Sequence, residues 1–359
     1  MFKNFKSVTK CAYGRDSFAK LGEIIAPHRH TGAGYMLFLV DDYFAGKALL
    51  EQLPIEATDA VELIYCGGEE PKTSQIDEIR DRYLASKGLP AGVIGIGGGS
   101  AMDLAKALSL MFTNEGSSVQ YQGLNLIKKA GIYHVGVPTI SGTGAEVSMT
   151  AVLTGPTKKL GLKCDWTVFD QIVLDPALTA SVPRNDWFYT GMDCYIHCIE
   201  SMTGNLKNTF SEAYGYKALD LCREVYLGKN SGQTIENDEK LMVASYFGGL
   251  SLTYSEVGVC HALSYGLSYV FGTRHGIANC IVFNQLADYY PTGVAEFKEM
   301  VKYHEIYIPQ NLSATWKPAE VEKMIDISWA LTHMWKHAIG ENWEQIISRD
   351  TLKELFLRM

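Results

Sequence analysis

Residues 92–96, Gly-Val-Ile-Gly-Ile, form an unbroken apolar run that passes directly into Gly97-Gly98-Gly99-Ser100 and then into the helical pattern AMDLAKALSLM. A strand buried on both faces, a glycine turn and a helix, in that order, belong to a βαβ unit. Two similar apolar runs precede it, Met36 to Val40 ending at Asp41-Asp42, and Val61 to Tyr65. Another follows at Tyr133 to Val137. Helical patterns lie between them, for example Ser74 to Ser86 with Ile76, Ile79, Tyr83 and Leu84 on one side. Short buried strands alternating with helices predict an α/β domain with a mostly parallel, doubly wound sheet, Rossmann-like in its logic. Ligands of such sheets sit beyond the carboxyl ends of the strands.

The glycine turn gives that position a chemistry. Read from Gly95 it is G-x-G-x-x-S, close to a dinucleotide fingerprint with serine in the last place. Glycines let the backbone approach a pyrophosphate, and the helix N-terminus turns free N–H groups toward negative charge. The plainer alternative is a tight turn in which Ser100 caps the helix and Asp103 completes a capping box. A strand before and a helix after favour phosphate cradling by Gly97, Gly98, Gly99 and Ser100. Asp41, ending an earlier strand, is placed to accept from an adenosine ribose, which disfavours the extra phosphate of NADP. A second polar loop, PTISGTGAE, follows the strand at 133–137 and carries Thr139 and Thr143. His134, inside that strand, reads as a packed core histidine. The run KKLGLK at 158–163 is either a solvated face or turns one lysine, such as Lys159, inward toward a nucleotide or an acidic substrate.

From about Asn185 the strand pattern stops and the chain reads as all helical, with a domain division near residue 182: an α/β domain over 1–182 and a helical one over 183–359. Asn185 or Asp186 is a candidate cap for a helix carrying Asp193 and His197. These are four apart and so share one face. An Asp/His pair at that spacing is more often a hydrogen bond than a metal site. A second cluster changes the balance: His261 and His275 lie among small and apolar residues in CHALSYGLSYVFGTRHG. One carboxylate and three imidazoles suit zinc or iron better than calcium or magnesium. Tyr265 falls one turn beyond His261 and is either core or a substrate or proton-relay contact. The tryptophans of the C-terminal region, Trp316, Trp329, Trp335 and Trp343, are assigned to packing.

Composition narrows the function classes. Of 359 residues, 47% are hydrophobic and 20% charged, which is globular rather than disordered. A net charge of −8 gives no basic field for nucleic acid or a membrane surface. No apolar run is long enough to span a bilayer, and the N-terminal stretch lacks a signal peptide's apolar segment. Eight scattered cysteines without a disulfide spacing fit reduced thiols in a cytoplasmic protein.

Taken together, GGGSAMDLAKA, PTISGTGAEVS, LDPALTASVPRNDWFYTGMDCYIHCIES and CHALSYGLSYVFGTRHG resemble the iron-containing alcohol dehydrogenase family, in order, from about Gly14 to Asn279. The resemblance implies a nucleotide-binding α/β domain and a dehydroquinate-synthase-like helical domain, with the active site in the cleft between them. It implies Asp193, His197, His261 and His275 as metal ligands. It also implies Gly97, Gly98, Gly99, Ser100 and Asp103 as the cofactor loop, with Thr139, Thr143 and Lys159 lining the cofactor cleft. A homodimer follows by analogy. The chain departs from the family pattern at Tyr265, where many members carry a relay histidine, and before Asp175-Pro176, where the usual proline is missing.

The tyrosine, with YTGMDCYIHCIES and Tyr121-Gln122-Gly123, is similar to a subgroup that oxidises the terminal primary alcohol of the sugar acid 3-deoxy-D-manno-octulosonate (KDO) to an aldehyde, for later transamination in lipopolysaccharide sugar biosynthesis. That implies a metal-dependent oxidation with NAD(P) as hydride acceptor, although the subgroup is described as an oxidase. Tyr265 and Lys159 are then the catalytic candidates, and Arg274 or Lys159 the cation for the substrate carboxylate. The alternatives are a polyol or simple alcohol dehydrogenase, a dehydroquinate-synthase-like cyclase, and a metal- and nucleotide-binding sensor. Asp193 with three histidines argues against the cyclase, whose expected ligand set is one Glu and two His.

Overall fold

The computed structural model describes residues 5–66 and 70–359. Residues 1–4, the start of the N-terminal stretch considered above, and residues 67–69 lie outside the described residues. The chain forms two compact units, Met1–Ile140 with Ala145–Ser181, and Ser141–Gly144 with Val182–Met359.

Among the described residues, the first unit carries nine strands: β1 (Lys10–Tyr13), β2 (Met36–Asp41), β3 (Ala60–Ile64), β4 (Gly92–Gly97), β5 (Gly123–Leu124), β6 (Tyr133–Pro138), β7 (Thr150–Thr154), β8 (Lys159–Lys163) and β9 (Gln171–Leu174). Six of them form a sheet in the order β1-β9-β6-β4-β2-β3, with every pairing parallel. Its helices are α1 (Leu21–Ile25), α2 (Ala48–Glu51), α3 (Thr73–Ser86) and α4 (Gly99–Met111). The core is what the apolar runs dictate. Ile94 pairs with Phe38 on one side and Val135 on the other, and Ile96 with Val40 and Val137. All of these are fully buried and pack with Leu21, Ile25 and Val173. Gly95 lets α4 approach the sheet: a Cβ there would meet the Cβ of Ala105 at 2.6 Å.

Two features of this unit bear on alternatives that the sequence left open. The lysine-rich run is β8, antiparallel to β7 and parallel to β5 in a separate three-stranded sheet. Strand alternation turns Lys159 inward while Lys158 stays exposed. The α4 N-terminus, in turn, has Gly98 as N-cap and no side-chain cap, so Ser100 and Asp103 form no capping box. Asp103 turns away instead and accepts from the Val152 N–H of β7 at 3.0 Å. His134 is buried and hydrogen-bonded to Asp170, a core histidine as expected.

The second unit is helical: α5 (Arg184–Thr203), α6 (Thr209–Leu227), α7 (Ile235–Tyr254), α8 (Val259–Phe271), α9 (His275–Phe283), α10 (Pro291–Tyr303), α11 (Pro318–Trp329), α12 (Thr332–Ala338), α13 (Trp343–Ile346) and α14 (Arg349–Leu357). Helix α5 packs against α6, α7, α8, α9 and α10 and is buried almost all round from Trp187 to Ser201. Its cap lies two residues before the expected Asn185 and three before Asp186. Pro183 is the N-cap, and its fixed φ starts the turn without a side-chain acceptor. Asp186 sits in the first turn, where its charge suits the helix dipole. The tryptophans pack: Trp335 stacks on Trp343, Trp329 meets Trp343 edge-on, and Trp316 stacks on Phe271. Among the described residues, no helix is long and apolar enough to cross a membrane.

Candidate metal centre and cofactor loop

Helix α5 places Asp193, His197 and Glu200 on one face at i, i+4 and i+7. Helix α8 brings His261 in its first turn, and α9 opens on His275. One ligand atom from each of Asp193, His197, His261 and His275 lies within 4.8 Å of the others. Asp193 Oδ1 is 3.4 Å from His197 Nε2 and 3.3 Å from His261 Nε2, while Oδ2 is 3.6 Å from His275 Nε2. Asp193 is completely buried, and a buried carboxylate is costly unless paired. Burial works to raise its carboxyl, but the three imidazoles outweigh this and hold it well below the usual range. Burial drives the His197 imidazole down to about 4, keeping it neutral with a lone pair to offer.

Two residues that the sequence reading missed complete this cluster. The first is Glu200, also buried. Its Oε2 accepts from His261 Nδ1. Its Oε1 accepts from the Cys260 N–H at 2.6 Å and from the Tyr290 hydroxyl at 3.3 Å. Glu200 therefore caps the N-terminus of α8 from another helix, where the dipole favours an anion. It also puts the His261 proton on Nδ1 and leaves Nε2 as the donor atom, the arrangement of carboxylate–histidine–metal sites. Burial opposes a charged His261, but Glu200 and Asp193 raise it to about 9, so a cation binding at Nε2 would displace a proton from it. The Glu200 backbone carbonyl is fixed too: His337 Nδ1 accepts from the Leu206 N–H, so Nε2 donates to Glu200 O at 2.9 Å. The second is Asn279, fully buried one turn after His275, whose Nδ2 donates to Asp193 Oδ1 at 2.6 Å. The signals were present in the sequence as spacings: Glu200 repeats the α5 face, and His275/Asn279 repeats the four-residue step of Asp193/His197.

The donor set fits a divalent cation. Three imidazoles and one carboxylate converge, and both Asp193 Oδ2 and His197 Nδ1 are buried without a hydrogen-bond partner among the described residues. That chemistry suits zinc or iron. Tyr265 is buried beside the cluster, its ring centroid 6.5 Å from that of His261 and 5.8 Å from that of His275. Arg274, immediately before His275, is half exposed and paired with Asp186 at 2.7 Å.

In the first unit, the ends of β2, β4 and β6 bring Asp41, Gly97, Gly98 and Thr139 together. Gly97 has φ +155°, and a Cβ there would strike the Ala101 Cβ at 2.6 Å and the Asp41 Cβ at 2.9 Å. Only glycine fits that cradle. Gly99 and Ser100 open α4, and Thr139 donates its N–H to Gly97 O at 2.9 Å. Asp41 Oδ1 accepts from the Tyr43 N–H, and burial raises its carboxyl above the ordinary value. Asp103 and Lys159 belong to a cluster of buried and half-buried charges. Lys159 pairs with Glu70 at 3.1 Å. Lys106, also missed, is fully buried and lies 3.8 Å from Asp103; it donates to Ser148 O, Ser148 Oγ and Thr150 O. Burial pushes Asp103 up and Lys106 down, each moderated by the other. Thr143, half-buried, belongs to the 141–144 segment counted with the second unit.

The iron-containing alcohol dehydrogenase profile matches residues 8–176, and the profile for the C-terminal region of the Fe-containing alcohol dehydrogenase family matches residues 187–344. The chain belongs to the iron-containing alcohol dehydrogenase family. Members are oxidoreductases acting on CH–OH groups, with a divalent metal and NAD. The chain is 27% identical over 285 residues to the NAD-dependent methanol dehydrogenase of Bacillus methanolicus, covering 77% of this chain and 73% of that one. It is 28% identical over 254 residues to the 4-hydroxybutyrate dehydrogenase of Clostridium kluyveri, covering 69% and 67%. Among these and similar curated relatives, the matched part spans between 50% and 73% of the relative's own length. The crystal structure of sulfoacetaldehyde reductase from Bifidobacterium kashiwanohense in complex with NAD+ shares the fold, with a TM-score of 0.80 at 19% identity over 99% of this chain and 98% of that one.

Proposed function

We propose that this alcohol dehydrogenase oxidises the terminal primary alcohol of 3-deoxy-D-manno-octulosonate to the aldehyde, an 8-dehydro sugar acid ready for transamination. The observation that carries the reading is Tyr265, buried beside His261 and His275 at the place where many family members have a histidine. Two relatives give general support: one is named for 4-hydroxybutyrate, a carboxylate with a terminal hydroxyl, and one for sulfoacetaldehyde, an anion with a terminal aldehyde.

Asp193, His197, His261 and His275 would hold the metal, and Gly97, Gly98, Gly99, Ser100, Asp41, Thr139 and Thr143 the nucleotide. When bound, the cation supplies Lewis acidity toward the alcohol oxygen, and NAD(P)+ supplies the hydride acceptor. The protein's own part is orientation and proton movement. The reaction takes R–CH2OH and NAD+ to R–CHO, NADH and one proton, and the Tyr265 hydroxyl passes that proton outward. Arg274 meets the sugar acid's carboxylate by exchanging its Asp186 partner. Lys159 and Asp103 would contribute to holding the nucleotide.

The test is incubation of metal-loaded protein with the sugar acid, with and without NAD(P)+, following aldehyde, NAD(P)H and oxygen together. Aldehyde with stoichiometric NAD(P)H is the expected result. Aldehyde with oxygen uptake and no nucleotide requirement overturns the hydride acceptor. No aldehyde from this substrate, with turnover of polyols or simple alcohols, overturns the sugar-acid assignment in favour of a general alcohol dehydrogenase, which relatives such as the methanol enzyme also support.

A further inference from the structure

Asn279 is fully buried on α9, and its amide nitrogen stands among three of the four candidate ligands. Nδ2 is 2.6 Å from Asp193 Oδ1, 3.1 Å from His261 Nε2 and 3.2 Å from His275 Nε2. The orientation of the amide follows from its surroundings. An amide oxygen facing the Asp193 carboxylate would repel it, whereas the nitrogen donates. On the other side, the Cys260 thiol lies 3.9 Å from Asn279 Oδ1 and 3.4 Å from the Asn279 backbone carbonyl, where it acts as a weak donor.

We propose that Asn279 is a positioning residue of the metal centre that makes Asp193 a one-oxygen ligand. This rests on the reading that Asp193, His197, His261 and His275 hold the metal. The amide commits Asp193 Oδ1 to a short, charge-assisted hydrogen bond. Oδ2, buried with no hydrogen-bond partner among the described residues, remains for the cation. A carboxylate that offers one oxygen leaves a coordination position to the substrate alcohol; a carboxylate free to offer both occupies it. Asn279 is neutral, so it does this without altering the charge of a site made of one carboxylate and three imidazoles. Aspartate would add a charge at the same place, and leucine would keep the volume while removing the donor.

The test compares wild type, Asn279→Ala and Asn279→Leu for metal affinity by chelator competition, for the melting temperature of chelator-treated protein, and for the visible spectrum of the cobalt(II)-loaded form. The leucine variant keeps the buried volume, so it reports if alanine unfolds the site. The expected result is metal binding weakened by about 10–100-fold. The cobalt bands should also lose intensity, because a second aspartate oxygen raises the coordination number and reduces tetrahedral character. Affinity within about twofold of wild type with an unchanged spectrum overturns the proposal. So does a variant whose melting temperature falls without change in affinity or spectrum, which is a packing role alone. Asp193→Ala is run alongside: if it binds metal like wild type, the ligand reading fails, and that failure is separate from any behaviour of Asn279.

Discussion

Replacing Glu200 with glutamine changes one atom and leaves the volume of the site intact. Both carboxylate oxygens of Glu200 are acceptors for N–H groups, Oε2 for His261 Nδ1 and Oε1 for Cys260 N. Glutamine offers one oxygen and one NH2, so it satisfies only one of them. If the NH2 faces Cys260, a buried backbone N–H at the start of α8 loses its acceptor, at a cost of about 1–3 kcal/mol. If it faces His261, the imidazole changes tautomer and Nε2 carries the proton, which blocks its lone pair. Either outcome strikes the same ligand, and the loss of charge also makes His261 less basic. Outer partners of metal-bound histidines contribute about 10–100-fold in affinity, or about 1.4–2.8 kcal/mol. Chelator competition on Glu200→Gln should therefore show metal binding weaker by that factor, together with a lower melting temperature. A variant that binds metal within about twofold of wild type and melts at the same temperature would refute the argument.

Three other outcomes follow from specific contacts. Gly142→Ala puts a Cβ 1.7 Å from the Thr190 carbonyl at a φ of +147°, three residues before Asp193. Thermal melting should show destabilisation of about 1–3 kcal/mol or more, and an unchanged melting temperature contradicts the packing. Asp170 is opposed by partial burial, but its hydrogen bonds to the His134 ring and N–H outweigh that and hold its carboxyl below the ordinary value. Its stabilising contribution is present above the ordinary carboxylate pKa and is lost as pH falls through the lowered native value. Asp170→Asn should thus narrow its stability deficit on acidification into that window, and urea titrations that show a constant deficit count against it. Tyr265→Phe should lower turnover by about 10²-fold, the lower end for a positioned proton donor, and change the pH profile. Unchanged turnover with an unchanged profile removes the relay role.

The parallel sheet was legible because its strands are buried on both faces, so β2, β4 and β6 read as unbroken apolar runs. The edges were not. β1 is mostly exposed, and β7 and β8 carry threonines and lysines whose inward members show only in alternation with the partner strand. The same limit left open whether Lys159 turns inward, as it does. The candidate ligand set was legible because its four members fall in two short motifs, and spacing alone brings Asp193 and His197 together. Glu200 and Asn279 were missed for a different reason. A glutamate on a helix face and an asparagine in an apolar helix have ordinary explanations, and only the convergence of α5, α8 and α9 gives them an acceptor and donor role. The capping box at Ser100 and Asp103 fails because the Val152 N–H offers Asp103 a better-placed donor across the strand.

The central claim is that Asp193, His197, His261 and His275 hold one divalent cation. An anomalous difference map from crystals of the metal-loaded protein, collected on either side of the iron and zinc absorption edges, locates that cation and identifies it. A single strong peak is expected among Asp193, His197 Nε2, His261 Nε2 and His275 Nε2, for one of the two elements. A peak at another place in the chain, or none in protein that analysis shows to carry stoichiometric metal, would contradict it.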